Sequence, residues 1–178
     1  MCSWNAMVSD LNETLPRQPG EGKVFGARGS ARLAAVQALY QMDLVQSDAG
    51  SVINQFVRHH FGHEVEGSYF DRADEPFFKD IVLGVVREQL DIDPLISRHL
   101  AQGWRLSRID SILRAILRAA SYELKDRKDV PFKVIINEYV DVAHAFFGGD
   151  EPGVVNGILD AIAKEARPKD FIKPSHAE

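Results

Sequence analysis

The segment Ile109–Leu124 constrains the fold more than any other part of the chain. Its apolar residues Ile109, Ile112, Leu113, Ile116, Leu117, Ala120 and Leu124 are spaced 3, 1, 3, 1, 3 and 4 apart. That spacing lines one face of an α-helix and cannot face a core from a strand. The rest of the chain follows the same period. Leu33, Val36, Leu39, Tyr40 and Leu44 mark a first helix, and Val52, Ile53, Phe56, Val57 and Phe61 a second. Asp74 is placed to cap a third, with Pro76 in its first turn and Phe77, Phe78, Ile81, Val82 and Val85 facing inward. "DIDPLISRHL" reads as a short fourth helix with Pro94 just inside its start, and Ile109–Leu124 is the fifth, its wet side pairing Asp110 with Arg114. Asp129 with Pro131 opens a sixth, stopped by Gly148-Gly149. Asp150 with Pro152 opens a seventh, with Val154, Val155, Ile158, Leu159 and Ile162 inward.

No segment alternates with period two, so the expected fold is all-α, about seven helices in a compact bundle. Residues 1–26 lack periodicity, carry Pro16, Pro19, Gly20, Gly22 and Gly26, and read as a flexible N-terminal tail. A loop is expected near 62–74, a helical domain over 27–168 and a C-terminal tail over 169–178. At 178 residues the chain suits one well-buried domain.

Composition narrows the function classes. No apolar run approaches the ~20 residues that span a bilayer, and no basic-then-apolar leader opens the chain. Cys2 is the only cysteine, which excludes a disulfide framework or a cysteine zinc site and fits a reducing, cytoplasmic setting. Phosphate-loop and GxSxG signatures are missing, so neither catalytic residues nor a cofactor are expected. His59, His60, His63 and Glu64 form the one metal-like cluster, but Gly62 interrupts it and no further ligand is evident, so surface roles are expected and no metal.

The net charge of −5 hides local basic stretches: Lys23, Arg28 and Arg32 occur without an acid between Lys23 and Gln41, and Arg105–Lys128 holds seven cations against three acids. Arg28 and Arg32 lie at a helix entrance, where the macrodipole favours anions over cations. Phosphate is the partner that this placement suggests, since helix N-termini and arginine forks both bind it. Tyr40, about two turns beyond Arg32, could stack on an unpaired base. Glu138 falls between Val134 and Val142 on the sixth helix, a carboxylate in an apolar stripe that requires a cation such as Arg114 or Arg118. Gly157, inside the seventh helix, suggests a close helix approach.

The stretches "ARLAAVQALYQMD" (31–43), "FFKDIVLGV" (77–85), "ILRAILRAASYEL" (112–124), "VPFKVIINEYVDVAHAF" (130–146) and "VVNGILDAIA" (154–163), in this order, resemble the NusB family of bacterial transcription antitermination factors. The resemblance implies two small helical bundles packed together, no enzymatic activity, and binding of boxA RNA together with NusE, a ribosomal small-subunit protein, in a transcription elongation complex. It implies an RNA surface including Arg28, Arg32, Tyr40 and the region of Asp150 and Asn156, with Lys23 adding charge. Two departures stand out. The family often has three basic residues where this chain reads Arg28-Gly29-Ser30, and its Lys-Phe-Val-Asn-Gly appears here as Gly153-Val154-Val155-Asn156-Gly157. Each lost phosphate contact weakens binding. The competing expectations are a protein-interaction module or homodimer that binds no RNA, and the RNA-binding module of a ribosomal RNA methyltransferase, for which the chain has no room for a cofactor domain.

Overall fold

The computed structural model describes residues 25–59, 61 and 73–172. Six α-helices run in order: α1 Ala27–Val45, α2 Ala49–His59, α3 Glu75–His99, α4 Ser111–Asp126, α5 Phe132–Phe146 and α6 Glu151–Ala166, followed by a 3₁₀ turn at Pro168–Phe171. No strand occurs among the described residues. α1, α2 and α3 pack as one group and α4, α5 and α6 as another, with α4 joining them by lying against α1 and α3 as well as α5 and α6. Most of the expected inward faces are the buried ones, including Leu33, Val36, Leu39, Phe78, Ile81, Ile116, Leu117, Leu159 and Ile162.

The helix count differs from the expected seven for a specific reason. The third and fourth expected helices are one 25-residue helix, with Pro94 inside it. Proline removes one N–H and frees the carbonyl four residues earlier. Both Pro94 and Leu90 are on the exposed side of α3, where a freed carbonyl carries little burial penalty. The helix starts as expected, the Asp74 carboxylate accepting from the Phe77 N–H at 3.0 Å.

Other local expectations are corrected. Asp110 does not pair with Arg114; its carboxylate accepts from the backbone N–H groups of Ile112 and Leu113, capping α4. Asp129 does not cap α5, whose entrance is Pro131; it binds the Arg127 guanidinium instead. Leu44 and Val134 were placed on inner faces and are about half exposed. The C-terminal end of α4 is sealed by a residue that periodicity does not reveal. Arg167 is buried and donates to the carbonyls of Glu123, Leu124, Arg127 and Val130 at 2.6–2.9 Å. Glu123 and Leu124 belong to the last turn of α4, where a helix end leaves carbonyls short of intrahelical donors, and Arg127 and Val130 follow it; a cation also suits that end of the dipole.

The close helix approach expected at Gly157 is absent, since a Cβ there would meet open space. It occurs at Gly84 of α3, where a Cβ would lie 2.1 Å from Cζ of Tyr122 on α4. Glycine lets the ring approach the α3 backbone closely, with its hydroxyl donating to Asp80 at 3.0 Å. Gly84→Ala is therefore expected to destabilise the fold by about 1–3 kcal/mol through overpacking. Gly157→Ala is expected to stabilise it by up to about 1 kcal/mol through helix propensity. Urea unfolding followed by circular dichroism checks both signs.

Candidate nucleic-acid interface

The entrance of α1 is tied to that of α3 by a backbone bond from the Asp74 N–H to the Ala27 carbonyl, 3.0 Å long. The Phe77 ring lies beneath this junction, surrounded by three guanidinium groups. The carbon centres of Arg28, Arg32 and Arg127 are 5.0, 4.9 and 5.1 Å from its centroid, within cation–π range. Arg28 and Arg32 do share a helix face, as their spacing implies, but their environments differ.

Arg28 is half exposed, with the Asp74 carboxylate 3.7 Å away. Arg32 is buried, 3% exposed. Its Nε and Nη2 donate to the two carboxylate oxygens of Glu123, each at 2.9 Å, and Nη1 donates to Glu138 at 3.3 Å. The Tyr139 hydroxyl donates to Glu123 at 2.8 Å. Burial works against the Arg32 charge, but the Glu123 hydrogen bonds and charge outweigh it and hold the group above the ordinary arginine range. Burial, then the Glu123 charge, pushes the Tyr139 phenol well above its usual value. Where phosphate was the expected partner of Arg32, the structure instead places carboxylates against all three of its guanidinium nitrogens.

The expected ion pairs are rearranged as well. Glu138 is partly exposed and pairs with Arg32, not with Arg114 or Arg118. Those two arginines face the opposite end of the first group. Arg114 binds Asp43 at 2.9 Å, and Arg118 bridges Asp43 and Asp93 at 3.2 and 2.8 Å. This network lines a cleft of about 600 Å³ together with Trp104, Arg105 and Leu106. The fully buried carboxylate is Glu123, which the sequence reading passed over. Its signal was available: Glu123 stands seven residues after Ile116 and three after Ala120, on the apolar stripe of α4.

Arg127 completes the cluster at the α1 entrance, donating to Asp80 at 2.6 Å and to Asp129 at 3.0 Å. Hydrogen bonding to Asp129 raises its pKa, and the same contact lowers that of Asp129. Asp74, Asp80, Glu123, Asp129 and Glu138 therefore surround three arginines. The carboxylates outnumber the guanidiniums here. Tyr40 is partly buried against the core near the other end of α1. Asp150 and Asn156 are exposed on α6 and its entrance, where Gly153 and Gly157 leave open space around them. α5 lies between α6 and α1, so these residues are not brought into one cluster with Arg28. Lys23 is outside the described residues, as are His60, His63 and Glu64 of the histidine cluster.

Two packed groups of helices, with an arginine-bearing entrance seated at their junction, define an all-α architecture of NusB type. The NusB family profile matches residues 29–164. The transcription antitermination protein NusB of Rhodopseudomonas palustris strain BisB18 is 50% identical over 167 residues, covering 92% of this chain and 98% of that protein. Its counterpart in Nitrobacter hamburgensis is 54% identical over 151 residues, covering 85% and 94%. Among solved structures, T. maritima NusB superposes with a TM-score of 0.67 at 31% identity, covering 83% of this chain and 99% of that one. NusB-type antitermination factors crystallised with NusE and dsRNA superpose at 0.64 and 26% identity, covering 77% and 96%. The chain belongs to the NusB family.

Removing one partner of a buried ion pair leaves an uncompensated charge, at a cost of about 3–5 kcal/mol. Glu123→Gln is expected to lose that much stability, and Glu138→Gln, at a partly exposed site, about 1 kcal/mol or less. Chemical denaturation midpoints distinguish the two. Arg32→Glu sets a third carboxylate against Glu123 and Glu138, and is expected to abolish cooperative unfolding.

Proposed function

We propose that this chain is an RNA-binding transcription antitermination factor that binds boxA-type single-stranded RNA with NusE. In this reading it supports processive transcription of ribosomal RNA operons in the cytoplasm, in company with RNA polymerase and other Nus factors, and carries out no catalysis. The observation that supports it best is the family membership, which extends over residues 29–164 and includes Arg32 of α1. A structural relative of the same fold has been crystallised with NusE and dsRNA. No helix among the described residues is long and apolar enough to cross a membrane.

In this reading the work at the α1 entrance falls to two arginines. Arg28, half exposed beside a long ion pair, is free to exchange Asp74 for a phosphate oxygen. Arg32 supports it from beneath as a positioning residue, fixing the first turns of α1 against Glu123. Tyr40, Asp150 and Asn156 remain assigned to the RNA surface as part of the same reading, at some distance from Arg28 along α1 and across α5. The surplus of carboxylates around the entrance, added to the missing basic residues at Gly29 and Ser30, makes binding by this chain alone weak and dependent on NusE.

Fluorescence anisotropy with a labelled boxA-like RNA, with and without NusE, tests the reading. Sequence-dependent binding that tightens with NusE is the expected result. Arg28→Glu should weaken binding and reduce the salt slope by about one, with thermal stability unchanged. Absence of binding at low salt under both conditions would leave a protein-interaction module or homodimer of the same fold.

A further inference from the structure

Residues 100–110 join α3 to α4 and carry Trp104, Arg105 and Arg108. Leu106 anchors this loop in the core, and Arg114 of α4 donates to the Leu106 carbonyl at 3.1 Å. Gly103, at φ +86°, makes the turn before Trp104, whose N–H donates to the Ala101 carbonyl at 2.9 Å. A second turn follows. The Arg108 N–H donates to the Arg105 carbonyl at 2.8 Å, which keeps the two Cα atoms within ~7 Å of each other. The loop is thus tied down, yet Trp104 is 49% exposed and both arginines are exposed. A large aromatic ring ordinarily buries far more of its surface.

The charges of this loop are unspent. Neither the Arg105 nor the Arg108 side chain has an ion-pair or hydrogen-bond partner among the described residues. Arg28, Arg32 and Arg127 differ, each facing carboxylates at the α1 entrance. Trp104 and Arg105 line the cleft of about 600 Å³, whose carboxylates, Asp43 and Asp93, are already engaged by Arg114 and Arg118. Three guanidiniums therefore face two carboxylates in the lining, and Arg108 adds charge on the adjoining turn. Among the described residues of the lining only Trp104 and Leu106 are apolar, which leaves little for a protein partner to bury. An exposed ring beside unneutralised arginines suits single-stranded nucleic acid, whose bases stack on the ring while the cations meet its phosphates. Tyr40 lies three positions before Asp43, on the same side of α1 and at this end of it.

We propose that this cleft seats an unpaired base of single-stranded RNA on the Trp104 indole, with the adjoining phosphates on Arg105 and Arg108. The inference rests on the RNA reading above and adds to it a second contact region. Arg28 and Asp43 are ~22 Å apart along α1, so one strand of modest length reaches from the entrance to the cleft.

Trp4→Phe in the full-length chain leaves Trp104 as the sole tryptophan. A boxA-like single-stranded RNA is titrated with and without NusE, and anisotropy and Trp104 emission are followed together. Quenching of Trp104 in step with the anisotropy rise is the expected result. Trp104→Ala should weaken binding about 5- to 150-fold, and Trp104→Phe, which keeps a ring, far less. Arg105→Gln combined with Arg108→Gln should lower the salt slope by about 1.4, at ~0.7 per phosphate contact. Far-UV circular dichroism establishes that each variant remains folded. Binding that neither quenches Trp104 nor responds to these substitutions overturns the inference and leaves the RNA reading standing. Quenching by NusE alone, with none from RNA, assigns the cleft to a protein partner and overturns it too. Flat anisotropy in both conditions removes the RNA reading and this inference with it.

Discussion

The Arg32–Glu123 pair is the constraint on which the arrangement of the two helix groups depends. Both charges are out of water, and two parallel hydrogen bonds together with the Tyr139 hydroxyl meet the demands that burial creates. Glu123 is engaged at both ends. Its carboxylate holds α1, while its backbone carbonyl accepts from Arg167, which follows α6. One residue of α4 thus connects the first helix and the last, and because the fork geometry is directional it sets their orientation as well as their distance.

Much of the fold was legible because helical burial writes itself into spacing. The inner faces of α3, α4 and α6 could be read residue by residue, and so could the Asp74 cap, since each depends on neighbours within a turn or two. The misreadings that concern the site involve partners distant in sequence, whereas Asp110 and Asp129 took local partners other than the expected ones. Spacing alone could not tell whether Arg32 looks out or in, because its carboxylate lies 91 residues away. Pro94 suggested a helix boundary that the solvent-facing position of Leu90 made unnecessary. Gly157 and Gly84 are both helical glycines, and only the ring of Tyr122, on another helix, shows which one is needed. The sequence directed attention to the α1 entrance as the candidate place, but not to the difference there between an exposed arginine and a buried one.

Electrostatics at that entrance combine two roles that the sequence presents as one. Phe77 provides a flat, apolar floor on which three guanidiniums gather, and five carboxylates hold them there. The arginines are therefore ordered in advance, at the expense of the positive potential that would draw a polyanion from a distance. Such a surface favours contact selectivity over long-range attraction. It accords with a net charge of −5, which disfavours non-specific attraction to polyanions.

The span between Arg32 and Glu123 also has a consequence for the nascent chain. At synthesis rates of ~5–20 residues per second, 91 residues take on the order of 5–20 seconds to appear. Throughout that interval α1, α2 and α3 lack the carboxylate that pairs with the buried Arg32, so the seat of α1 stays incomplete until α4 has emerged. Arg167 emerges later still and secures the end of α4 only when α6 is complete. The native contacts of the first helix are thus completed by residues of the second half.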